Sequence, residues 1–268
     1  MKNVTLVYMV AGMSSRFGGK IKQFARVGKN NETLIELSLN QALKAGFNKI
    51  IFVVGNLTEG PFKEMFGDNY GGIPVFYTYQ KFDSKARNKP WGTGDAVCSI
   101  KEIIDQDFVI CNGDDIYGEE SFRILTEHIR ESDECATIGY KLIHSIPERG
   151  AVKRGIFEEK DGYVNEMKEV FDIERDNLEK IGLNENSLCS MNLFAFSREM
   201  LNELNKRVEK FKERNKNNKD AECLLPVELS GLIKDKKIKI KIHSTPEKWI
   251  GITNPEDEEI VREILKNN

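Results

Sequence analysis

The stretch MVAGMSSRFGGKIKQF, residues 9–24, sets Arg16, Lys20 and Lys22 among glycines and serines. Small residues leave backbone N–H groups accessible, and with positive charge close by such a loop suits a phosphate. A second stretch, FVICNGDDIYG (108–118), is an apolar run ending in Gly113-Asp114-Asp115. Carboxylates at the carboxyl end of a strand suit a hard cation such as magnesium, although Gly-Asp pairs also make turns and caps. Asp114 is the stronger candidate for the metal, with Asp115 capping or supporting. The third stretch, QKFDSKARNKPWGTGDAV (80–97), begins with Gln80, whose amide carries the donor and acceptor that a pyrimidine edge needs. Gly92 lets backbone approach the base, and Thr93 can cap the helix that follows.

Other chemistries are poorly provided for. His128, His144 and His243 are the whole histidine complement and none lie four apart, so a histidine-based zinc site is not expected. The cysteines at 98, 111, 135, 189 and 223 have no paired-ligand spacing and read as reduced core thiols of a cytoplasmic protein. A net charge of −3 argues against a general nucleic-acid binder. No run approaches the roughly 20 apolar residues of a membrane span, and VTLVYMV at the start lacks the features of a secretory signal.

The elements that must position these residues alternate along the chain. Residues 4–10 and KIIFVVG (49–55) read as buried strands, with a helix over NETLIELSLNQALKAG between them. Thr33 and Glu36 have capping-box spacing, and Gly46 suits the helix stop. A helix near 58–66, a strand at 75–79, a helix from Thr93, the strand FVIC, a helix near 118–131 and the strand ATIGYKL continue the pattern. Continuous apolar strands alternating with helices predict a parallel sheet covered on both faces.

Beyond residue 150 the pattern changes. Two extended segments flank a Lys-Asp-Gly turn in GIFEEKDGYVNEMKEV, and SMNLFAF reads as one strand. Helices from about 198 and over 222–233 follow, then KKIKIKIH, whose alternation of lysine and isoleucine reads as an edge or half-exposed strand. Asn254 and Pro255 suit the cap and first residue of a last helix. With no linker or repeat, residues 1–268 read as one domain: a doubly wound α/β half, then a more mixed half completing the pocket.

Two familiar phosphate loops are excluded by spacing. Gly12 and Gly18 have five residues between them and Lys20 is followed by Ile21, so the Walker pattern and its metal-holding hydroxyl are missing. Position 14 is serine, which breaks the dinucleotide fingerprint. AGMSSRFGGKIKQF instead resembles the opening motif of the sugar-1-phosphate nucleotidylyltransferases, the enzymes that make NDP-sugars. The other two stretches resemble that family's next two motifs, in the same order.

The resemblance implies a doubly wound, Rossmann-like mixed α/β sheet in a three-layer sandwich of the GT-A-like nucleotidyltransferase type. It implies that Ala11, Gly12, Met13, Ser14 and Ser15 wrap a nucleotide, joined by Gln80 at the base and by Gly92 and Thr93. Arg16 and Lys22 would hold phosphates, and Asp114 would bind Mg²⁺. On the acceptor side Gly155, Glu169 and Asn192 match positions that contact sugar, and Glu222 matches a further family position. Two departures stand out. Many relatives carry Glu-Lys where this chain has Glu169-Val170, so Lys168 or Lys153 would have to meet the acceptor's phosphate. Many carry W-x-D-x-G-T, whose aspartate is a second metal ligand, where this chain has Gly251. Asp257, close by, suits the first turn of the last helix, and Trp249 suits the core.

The implied reaction condenses an NTP, with a pyrimidine such as UTP favoured, and a sugar 1-phosphate into an NDP-sugar and pyrophosphate. The partners are therefore an NTP and a phosphorylated small molecule, with neither nucleic acid nor membrane. An NDP-sugar-dependent glycosyltransferase and a catalytically impaired regulatory domain that binds NDP-sugars are the alternatives.

Overall fold

Apolar runs without polar alternation require a sheet covered on both faces, and the chain folds that way in a computed structural model. The structure describes residues 2–12, 17–18, 20–147, 150–252 and 257–267. The first elements are β1 (Val4–Met9), α1 (Leu34–Leu43), β2 (Lys49–Val54), α2 (Glu59–Phe66), β3 (Asn69–Tyr70) and β4 (Ile73–Tyr79). Next come α3 (Thr93–Cys98), β5 (Asp107–Asn112), β6 (Asp115–Ile116), α4 (Glu119–Glu131) and β7 (Cys135–Lys141). The rest are β8 (Val152–Lys160), β9 (Tyr163–Ile173), β10 (Leu188–Ser190), β11 (Phe194–Phe196), α5 (Met200–Arg214), α6 (Leu225–Lys234), β12 (Ile240–Ser244), β13 (Ile250–Gly251) and α7 (Asp257–Asn267).

Eleven strands form one sheet in the order β10-β8-β9-β12-β7-β11-β5-β1-β2-β4-β3, while β6 and β13 make a separate ribbon. Strands β5, β1, β2 and β4 are parallel. From β1 the chain moves outward through β2 to β4, with α1 and α2 on one face, then returns by α3 on the other face to β5. Right-handed crossovers require that change of face when the direction reverses. The reversal sets the carboxyl ends of β1 and β5 side by side, where open α/β sheets hold their ligands.

Each face has its own core, which gives three layers. Ile35, Leu39, Phe62 and Phe122 of α1, α2 and α4 pack on one side. Val97, Leu201, Leu204 and Leu229 of α3, α5 and α6 pack on the other. The capping box of Thr33 and Glu36 forms as expected. The β8–β9 hairpin turns at Asp161 and Gly162, both at positive φ, as a tight primed turn needs.

Two expectations are corrected. SMNLFAF is not one strand: β10 ends at Ser190 and β11 starts at Phe194, with Asn192 between them at φ 58°. Asparagine tolerates this left-handed geometry, which lets the chain leave β8 and re-enter the sheet between β5 and β7. The lysine-rich β12 is half-exposed but is not an edge, since it lies between β9 and β7. Its isoleucines face the α5–α6 core while His243 meets His128 of α4, so the alternation marks a partly covered face.

Candidate active site

Two adjoining cavities open at the β1–β5 crevice, one of about 300 Å³ and one of about 480 Å³. They share Lys22, Thr93, Asn112, Asp114 and Asn192. Of the residues expected at a nucleotide, Ala11, Gly12, Gln80 and Gly92 line the larger cavity. Gly155 and Glu169, expected at the acceptor, line the smaller. Met13, Ser14, Ser15, Arg16, Gly19, Asn254 and Pro255 lie outside the described residues.

At the shared wall, a single 3₁₀ turn over Lys22–Phe24 carries Lys22, whose ammonium pairs with Asp114 from the loop after β5. Asp115 lies deeper. Its Oδ2 accepts from Asn112 Nδ2 at 2.8 Å and is 3.0 Å from the Tyr117 hydroxyl. Burial, and then the neighbouring Asp114, push the Asp115 carboxyl up to about 7. Asp115 pairs with Gly251 in the β6–β13 ribbon, and a Cβ at 251 would lie 2.6 Å from Asp115 Oδ1. The space for a side chain at 251 is therefore taken by Asp115 and the Trp249 ring. Among the described residues no three His, Cys, Asp or Glu side chains come together as a metal cluster.

On the larger cavity, Gln80 is 5% exposed and its amide is held firmly. Nε2 donates to the Gly92 carbonyl and to Asp95 Oδ2, both at 2.9 Å, and Asp95 Oδ1 pairs with Lys212 at 2.6 Å. Both amide protons are engaged, so the carbonyl oxygen is what Gln80 can offer a ligand. Gly92 has a reason within the fold to lack a side chain: at φ 95° its Cβ would lie 2.8 Å from the Cys223 carbonyl oxygen. Thr93 is likewise not the cap of its own helix, for which Gly92 is the N-cap. Its Oγ1 accepts the Leu225 N–H at 3.0 Å, at the start of α6. Arg87 ties the cavity's wall to residues 218–221, stacking on Trp91 and donating to the Asn218 and Ala221 carbonyls. Glu222 lines this cavity and pairs with Lys89 at 3.1 Å.

On the smaller cavity, Gly155 and Glu169 are direct partners across the β8–β9 ladder. Neither lysine expected at the acceptor's phosphate is unengaged. Lys168 faces solvent with Glu158 and Glu166, while Lys153 lines the cavity but pairs with Glu169 at 3.3 Å. Arg154, which sequence reasoning passes over, also lines the cavity and stands directly across from Val170. Trp249, expected in the core, is half-buried and lines the same cavity, with its Nε1 buried and lacking an acceptor. The β8–β9 register brings Arg154 here, and Trp249 arrives from just before β13. Asn112 and Asp115, by contrast, sit beside Asp114 in the same short stretch of sequence.

All five cysteines are buried and free of disulfides. Burial pushes the Cys98 and Cys135 thiols up to about 12, which leaves them inert as nucleophiles. No helix among the described residues is long and apolar enough to cross a membrane.

The model of a family described as nucleotidyl transferase matches residues 19–229. Comparison with curated proteins finds no match. Among solved structures, a protein assigned as a glucose-1-phosphate thymidylyltransferase from Bacillus anthracis, in complex with a sucrose, is similar. It has a TM-score of 0.71 at 12% identity, covering 99% of this chain and 96% of that one. A UDP-glucose pyrophosphorylase complexed with UDP-glucose gives 0.67 at 15% identity, covering 99% of each chain. The inositol-1-phosphate CTP transferase from T. maritima gives 0.70 at 13%, covering 99% and 96%. At such identities the likeness establishes the fold.

Proposed function

The chain belongs to the nucleotidyl transferase family, and from that premise we propose that it joins an NTP to a sugar 1-phosphate, forming an NDP-sugar and pyrophosphate. The observation that carries this reading is the pair of cavities meeting at Lys22 and Asp114. Ala11, Gly12, Gln80 and Gly92, expected at a nucleotide, line one, and the Gly155–Glu169 pair lines the other. Family membership favours nucleotidyl transfer over the glycosyl transfer and the binding-only role that the sequence also admits.

The acceptor's phosphate oxygen attacks the α-phosphorus of the NTP. As that bond forms, the bond from the α-phosphorus to the bridging oxygen breaks, and pyrophosphate leaves with the electron pair. The attacking oxygen is already ionised, so no base is needed and the inert cysteines are no handicap. The demand is alignment and charge. Two like unit charges about 4 Å apart repel by ~4 kcal/mol at an effective dielectric of ~20. Lys22 offsets this where the cavities meet, and Arg16 is proposed to assist from the same loop. Gln80, with its protons engaged by Gly92 and Asp95, offers an acceptor oxygen to a donor on the base edge. UTP, whose N3–H is such a donor, fits this oxygen, as does any base that presents an N–H to it, so the pyrimidine in the proposal rests on the resemblance. Ala11, Gly12, Gly92 and Thr93 shape the nucleotide's cavity, with Met13, Ser14 and Ser15 proposed beside them. Gly155, Glu169 and Asn192 hold the acceptor.

Mg²⁺ fits the donor set. Asp114 lines both cavities and Asp115 lines the smaller, two hard carboxylates of the kind that hold this ion while phosphates complete its shell. The Gly251 departure is then met by Asp115, whose Oδ1 fills the space a side chain at 251 would need. When bound, the ion would neutralise charge on the reacting phosphates.

The test is a matrix of NTPs against phosphorylated acceptors, read by magnesium-dependent pyrophosphate release. Release with a pyrimidine NTP and a sugar 1-phosphate is expected. No release anywhere in the matrix would overturn the reading.

A further inference from the structure

The cations lining the smaller cavity differ in how they are neutralised. Lys22 pairs with Asp114, and Lys153 pairs with Glu169. Arg154 has no carboxylate within ion-pair distance among the described residues. Asp115, the carboxylate whose charge reaches it, is held instead by Asn112 and Tyr117. The Arg154 guanidinium gives Nη1 to the Lys153 carbonyl at 2.9 Å and Nη2 to the Ser145 carbonyl at 2.6 Å. Its Nε is buried with no acceptor. Two of the five N–H groups a guanidinium owns are thus engaged, and its charge is unmatched.

A cation withdrawn from water without a counter-charge is unfavourable, and an anion arriving in the cavity relieves it. Recruiting Lys153 instead would strand Glu169. The backbone bonds to residues 145 and 153 and the Trp249 ring, 5.2 Å from the guanidinium carbon, fix the fork before any ligand arrives. A planar fork with spare N–H groups matches two oxygens of a phosphate.

We propose that Arg154 is the residue that receives the acceptor's phosphate monoester in the smaller cavity. The inference rests on the nucleotidyl-transfer reading for the identity of that anion. It places the phosphate on β8, across the ladder from Val170, while Lys153 serves to hold Glu169 in position.

The experiment titrates inorganic phosphate into the whole protein by calorimetry, for wild type, Arg154→Lys and Arg154→Met. Circular dichroism verifies folding. The neutral variant is expected to lose phosphate affinity by about tenfold or more, with lysine intermediate, because a charge-assisted bidentate contact is removed. UTP affinity, measured in the same way, should change less than about twofold, and in turnover the acceptor's KM should rise while the NTP's stays. Three results would each overturn the proposal: no phosphate binding by wild type, unchanged phosphate affinity in folded Arg154→Met, or equal losses for phosphate and UTP. Should Arg154→Met fail to fold, Arg154→Lys decides by the same comparison. Failure of the nucleotidyl-transfer reading shows separately, as absent pyrophosphate release, while the phosphate titration still decides for or against Arg154.

Discussion

Gln80 and Asp95 are bound to each other at 2.9 Å inside the protein, and Asp95 is in turn neutralised by Lys212 at 2.6 Å. Asp95 is 5% exposed, so its charge depends on that lysine. Lys212→Met should cost about 3–5 kcal/mol, the usual penalty for stranding one member of a buried pair. It should also weaken NTP binding by releasing Gln80. Adding Asp95→Asn should recover most of the stability. Urea denaturation of the single and double variants measures this, and equal stability of wild type and Lys212→Met would refute it.

Asp114→Asn keeps the shape of the shared wall but removes the carboxylate that meets Lys22. Turnover should fall by orders of magnitude with the circular dichroism spectrum unchanged. Calorimetric titration with Mn²⁺ in the presence of UTP should show weakened metal binding. Near-normal magnesium-dependent activity in this variant would remove Asp114 from the metal site.

Gly251 cannot accept the aspartate that many relatives carry without displacing Asp115 or the Trp249 ring. Gly251→Ala should lose about 1–3 kcal/mol through overpacking. Gly251→Asp should lose activity instead of gaining it. Melting temperatures and pyrophosphate release together check this, and a faster Gly251→Asp enzyme would contradict the assignment of Asp115.

Far from the crevice, His243 Nε2 lies 3.1 Å from His128 Nδ1. Burial first, then His128 and Lys241, hold the His243 imidazole below its ordinary 6.5. The folded chain therefore binds this proton less readily than the unfolded chain, and stability should decline as pH falls below about 6.5. His243→Asn should flatten that decline without altering turnover at pH 8. Thermal melts between pH 8 and pH 5 test it, and parallel curves for variant and wild type would count against it.

What is readable in the chain is local. The glycine loop, Gln80 and the Gly113–Asp115 corner each follow an apolar strand, and strand order alone brings β1 and β5 together. Non-local causes are misread or missed. The Cys223 backbone leaves no room for a Cβ at Gly92, and Thr93 serves α6, more than a hundred positions away. The spacing within WGTGDAV holds no trace of either. Arg154 is hidden for a related reason: its relation to Val170 comes from a ladder with register shifts on both sides, which counting along β8 does not reveal. Asn192 is visible as a polar residue in an apolar run, but its left-handed turn depends on β10 leaving the sheet early.

Lys22, Thr93, Asn112, Asp114 and Asn192 belong to both cavities at once. On the proposed reaction, a linked NDP-sugar lies across this common wall and evicts both starting compounds together. Accumulating output would then slow the proposed reaction against nucleotide and acceptor alike. Feedback of that kind would need no separate regulatory domain, because it would follow from the shape of a single partition.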